Sequence, residues 1–109
     1  MITVKIDIDK ERRECSLCVK GHAGYAGIGQ DIVCASVSIL AYTAAQCLCD
    51  TEGKAPKFSM GKGECFIPPQ AVKTSFEEAV QTLSVIRQGY TLLAHNYPQY
   101  VELITDVSA

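Results

Sequence analysis

The chain has 109 residues, with ten Lys and Arg against twelve Asp and Glu, a formal net charge of -2, 48% hydrophobic and 20% charged residues. That is apolar material for the core of one small domain, residues 1–109. The mild acidity, with no run of Lys and Arg, excludes the electrostatic footprint of a nucleic-acid binder or a membrane-surface patch.

Ile2, Val4, Ile6 and Ile8 alternate with Thr3, Lys5, Asp7 and Asp9, which predicts a strand over residues 2–8. The same alternation stands where a secretory signal would need a basic region and an apolar run, so a cytoplasmic location is expected. A charged turn over residues 9–14 leads to a second strand at 15–20, forming a hairpin. Residues 21–30 hold Gly21, Gly24, Gly27 and Gly29, a composition that predicts a mobile loop with few anchoring side chains. A helix is expected from Ile32, capped by Asp31 and ending near Asp50. Its segment 32–49 carries no charge, but Ser36, Ser38, Thr43 and Gln46 and its shortness favour a buried helix over a membrane span.

Two short strands are expected at residues 54–58 and 64–67, around a glycine-containing turn and ended by Pro68 and Pro69. From Val72, the positions Val72, Phe76, Ala79, Leu83, Ile86, Tyr90 and Leu93 step by four and three, the stripe of a second long helix. It stops near Asn96, Tyr97 and Pro98, and Tyr100, Val101, Leu103 and Ile104 predict a last strand over residues 97–106. The order ββαββαβ gives a small two-layer α/β sandwich, a mostly antiparallel sheet packed by two helices. No repeat or linker divides it.

The six cysteines sort by position. With no sign of export, all six are expected as free thiols. Cys15 and Cys18 have the spacing of half a zinc motif, but no second Cys/His pair follows, and on a strand two side chains three apart face opposite ways. Cys47 and Cys49 lie about 200° apart around a helix. Cys65, in a short strand with Phe66 and Ile67, reads as a small buried hydrophobe. Packing accounts for these five, and no metal site or cofactor is expected.

Cys34 differs, because it follows the glycine-rich loop at the expected start of a helix, where free amides and the helix dipole favour a thiolate. His22 stands at the other end of the same loop, which can fold back to set an imidazole beside the sulfur, giving a nucleophile and a base. The plainer alternative is a packed Cys34 and an exposed His22. Asp31 caps the helix but opposes ionisation of the thiol unless it pairs with His22. His95 sits at the far end of the second helix, where the dipole alone explains a histidine.

The stretch from Gly21, His22 and Ala23 through the glycine loop to Gly29, Gln30, Asp31, Ile32, Val33, Cys34, Ala35, Ser36, Val37 and Ser38 resembles the signature of the Prp/YsxB family, bacterial ribosomal-processing cysteine proteases. The likeness extends along the chain to Tyr97, Pro98 and Tyr100. It implies a catalytic dyad of His22 and Cys34, with supporting roles for Asp31 and Ser38. Gly21, Gly24, Tyr25, Gly27 and Gly29 fall in the loop as candidate substrate contacts. It further implies a narrow peptide substrate, the amino-terminal extension of a large-subunit ribosomal protein, and a homodimer. The cysteine load outside the motif departs from the family pattern. Two other classes compete: a non-catalytic ribosome- or peptide-binding module, and a thiol redox or metal-binding regulator using Cys15 and Cys18.

Overall fold

The computed structural model describes residues 1–21, 28–49 and 65–108, with residues 28–31 as backbone alone. β1 (Ile2–Asp9) and β2 (Glu14–Gly21) form the expected hairpin, antiparallel with Ile2 opposite Gly21 and Asp9 opposite Glu14. Its turn has a local cause. The Asp9 carboxylate accepts from the N–H groups of Glu11 and Arg12 at 3.1 and 3.0 Å, and Arg13 takes a positive φ of 56° to redirect the chain.

Ile2, Val4 and Ile6 of β1 and Cys15, Leu17 and Val19 of β2 are buried, while Lys5 and Lys20 face solvent. This period of two puts one sheet face into the core. α1 (Ile28–Leu48) and α2 (Phe76–Asn96) cover that face, joined to it in one continuous apolar cluster. β3 (Cys65–Ile67) adds antiparallel to β2, and β4 (Val101–Ser108) adds parallel to β1, giving the sheet order β3-β2-β1-β4. The sandwich is therefore the predicted one, with β1 and β4 as the one parallel pair among the described residues.

Several boundaries differ from expectation. α1 starts at Ile28, four residues before Ile32, so Asp31 lies inside the helix and does not cap it. Val72 falls outside α2, following a short 3-10 turn at Pro69–Ala71, and α2 is capped instead by Ser75, whose side chain accepts from the Glu78 N–H at 3.2 Å. Tyr97 and Tyr100 belong to the turn before β4, which runs on to Ser108. The strand expected at residues 54–58 lies outside the described residues.

The helices meet through small side chains. A Cβ on Gly89 of α2 would come within 2.8 Å of the Leu40 methyl carbons on α1, so glycine lets the two helices approach. Beside this crossing, the wholly buried Tyr90 donates its hydroxyl to the Val37 carbonyl at 3.0 Å. The Lys73 N–H closes the far end onto the Leu48 carbonyl at 2.7 Å. At the base of α2, Arg13 pairs with Glu77 and lies 5.0 Å over the Phe76 ring, binding the hairpin turn to the helix.

Candidate active site

β2 delivers the chain to the site. Gly21, its last residue, has a φ of +105°, and a Cβ there would lie 2.2 Å from the Met1 carbonyl oxygen. Only glycine fits both the angle and the contact. The loop residues His22, Gly24, Tyr25 and Gly27 lie outside the described residues, whereas Gly29 and Asp31 belong to the opening turns of α1.

Cys34 is the seventh residue of α1, roughly 9 Å along the axis from its first residue at 1.5 Å per residue. This corrects the expectation that first-turn amides and the helix dipole activate its thiol, because the free N–H groups end a turn earlier. The Cys34 side chain is half-buried and packs on the core cluster, between solvent and the buried Val33 and Val37. Ser38, four residues on, occupies the same face at the next turn. Cys34 and Leu40 are about 120° apart around the axis. The thiol therefore points to the flank of α1 turned away from the Leu40 and Gly89 crossing.

Tyr90 holds this part of α1 in place. Its hydroxyl reaches the carbonyl of Val37, one turn beyond Cys34, and burial pushes its own ionisation well above the ordinary tyrosine range. In the sequence Tyr90 showed only as a member of an apolar stripe, and nothing in the pattern signals its hydrogen bond to α1.

Three of the remaining cysteines, Cys15, Cys49 and Cys65, are shifted toward the neutral thiol. Cys15 is buried and its pKa is raised by desolvation. Cys18 faces the other side of the sheet, so these two do not share a ligand. Cys47 is exposed, while Cys49 is half-buried with its pKa raised by burial and partly offset by Lys73. Cys65 is pushed up to about 11, first by burial and then by the neighbouring Cys18 and Cys49 thiols. Strand spacing alone gave no sign that these three gather at the β3 side of the sheet. All six cysteines are free, and no group of three metal-ligating side chains occurs among the described residues. His95 is exposed in the last turn of α2, as its position predicted. Among the described residues no helix is long and apolar enough to cross a membrane.

The chain is similar to known proteins over nearly all of its length. The ribosomal processing cysteine protease Prp of Staphylococcus aureus is 23% identical over 103 residues, covering 94% of this chain and 97% of that protein. The crystal structure of SMU.848 from Streptococcus mutans superposes with a TM-score of 0.71 at 25% identity, covering 99% of this chain and 96% of the other. The S. aureus Prp protease in complex with a covalently linked product peptide superposes with a TM-score of 0.70 at 23% identity, covering 97% of this chain and all 100% of that one. The family model of the cysteine protease Prp matches residues 1–102. With this match spanning both β2 and the Cys34 segment of α1, the chain belongs to the Prp family of cysteine proteases.

Proposed function

We propose that this protein is an endopeptidase that removes the amino-terminal extension of a large-subunit ribosomal protein, using His22 and Cys34 as a dyad. The observation that carries this reading is the placement of Cys34: a half-buried thiol on α1 at the margin of the core cluster, joined to the end of β2 by the connection of residues 22–27. His22 is the first residue of that connection, directly after the fixed turn at Gly21. The relatives named Prp support the substrate class, since one of them is bound to a product peptide.

In the reaction, His22 takes the proton from the Cys34 sulfur and the thiolate attacks the scissile carbonyl carbon. The C–N bond then breaks, the leaving amine takes the proton from His22, and water hydrolyses the thioester to release the acid and restore the thiol. Ser38, one turn beyond Cys34 on the same face of α1, and Asp31, earlier in the helix, are assigned supporting roles. Gly24, Tyr25 and Gly27, in the connection between β2 and α1, stand in this reading as candidate substrate contacts. The reading includes a homodimer and a reducing, cytoplasmic setting that keeps the thiols free.

The test is incubation with the extended ribosomal protein followed by intact-mass analysis. Loss of the extension with the natural chain, and its complete retention with Cys34→Ala or His22→Ala, is the expected outcome. Cleavage surviving both substitutions would remove the dyad. The packing of Cys34 on the core cluster favours one alternative, a non-catalytic peptide-binding module. Under that alternative, Cys34→Ser retains full biological function.

A further inference from the structure

β4 is an edge strand, with β1 on one side and no strand on the other among the described residues. The Ile2 N–H donates to the Tyr100 carbonyl at 2.7 Å and the Lys10 N–H to the Ser108 carbonyl at 3.0 Å. In a parallel ladder this pattern engages the even-numbered residues of β4 and turns the N–H and C=O groups of Leu103, Thr105 and Val107 outward. Such a row is a template for one more strand.

The same odd-numbered side chains face the helices, where a groove of about 470 Å³ opens between β4 and α2. Phe76, Val80, Thr105 and Val107 line it, with Lys10 and Arg87 on its rim. Neither cation forms an ion pair among the described residues, whereas Arg13 in the same groove is taken by Glu77. In a chain of net charge -2 this is a local concentration of positive charge beside exposed apolar surface. It lies at the Ile8 end of β1, the opposite end of the sheet from Gly21 and the loop that bears His22.

We propose that the free edge of β4 and its adjoining groove form a peptide-docking site separate from the dyad. Its occupant is an extended segment of another protein, with carboxylates flanking apolar residues along its inward face. The backbone of that segment pairs with Leu103, Thr105 and Val107, its apolar side chains fill the groove, and its carboxylates meet Lys10 and Arg87. A second copy of this chain fits less well. The antiparallel pairing of two β4 strands centred on Ile104 sets Glu102 against Asp106 of the second copy, twice, and like charges directly opposite are destabilising.

The probe is a fluorescein-labelled peptide whose alternate positions read glutamate, valine, valine, glutamate, with threonine between them. Its control carries lysine in place of glutamate, and binding is read by fluorescence anisotropy. Thr105→Pro removes one outward N–H and leaves the β1 ladder intact, since Pro is tolerated where an edge strand faces solvent. The double variant Lys10→Glu with Arg87→Glu reverses the rim and touches no backbone bond, so it decides the matter if the proline variant fails to fold by circular dichroism. The expected result is saturable binding of the acidic peptide, with affinity lower by roughly tenfold or more for the lysine control and for each folded variant, about 1.4 kcal/mol. Equal binding of both peptides, or binding unchanged in the folded variants, overturns the proposal. So does a wild-type dimer, seen by sedimentation, that Thr105→Pro dissociates and that binds no peptide.

Discussion

At the scale of single residues, two positions, Gly21 at the end of β2 and Tyr90 against α1, carry demands that ordinary side chains do not meet. Gly21 combines a left-handed backbone angle with a Cβ position occupied by the Met1 carbonyl. Gly21→Ala is expected to destabilise the fold by about 2 kcal/mol, in the range for strained backbone at a constrained site. A fall in the urea midpoint with an unchanged slope checks it, and peptide cleavage should fall too, because the turn into His22 shifts. Tyr90 is the second such position. Tyr90→Phe removes a buried hydroxyl but leaves the Val37 carbonyl its helical partner, so the cost should stay near 1 kcal/mol. A loss above about 3 kcal/mol in chemical denaturation would mean that the hydroxyl does more than brace α1.

At the scale of elements, the hydrophobic period was the legible part. Ile2, Val4 and Ile6 gave β1, the charged turn after it gave β2 as the second arm of a hairpin, and the stripe from Phe76 to Leu93 gave α2, because burial on one face leaves a direct mark on the residue order. Helix starts left a weaker mark. Glycines at 27 and 29 argued for loop up to Gln30, yet α1 begins at Ile28. Asp31 was consequently read as a cap, and Cys34 as a first-turn thiol. The resemblance that singled out His22 and Cys34 did not depend on that boundary, so it stands apart from the dipole argument that the start of α1 overturns. For α2 the cap lay in the pattern of Ser75 followed by Glu78, which the apolar Val72 obscured. Ser75→Ala should cost about 1 kcal/mol, measured as a lower thermal midpoint. Glu77, already held below the usual carboxylate range by its bond to Arg13, should keep that shift in the variant.

At the scale of the molecule, the thiols set the alkaline limit. In the unfolded chain Cys65 ionises near 9.0, while in the fold it holds its proton to about 11. The unfolded state therefore releases this proton first, so stability present below pH 9 falls as pH rises through 11. Cys15, Cys49 and Tyr90 are shifted upward as well and add to the same fall. Cys65→Ala is expected to reduce the slope of unfolding free energy against pH over that interval while leaving a residual slope from the others. An unchanged slope would show that the Cys65 thiol is not protected by the fold. What no local pattern carried was the meeting of distant segments: Cys18 and Cys49 near Cys65, Leu40 over Gly89, and β4 beside β1. Each depends on which elements become neighbours, and residue periodicity is blind to that.

The pairing of β1 with β4 has a consequence in time. Ile2 lies against Val101, so β1, one of the two inner strands of the sheet, waits for a neighbour made almost a hundred residues later. During translation the hairpin and α1 emerge first, with Cys34 among them, but the sheet that supports them lacks β4 until residues 101–108 have been made. Completion of the sheet under Cys34 is thus expected to lag behind synthesis of the Cys34 segment itself.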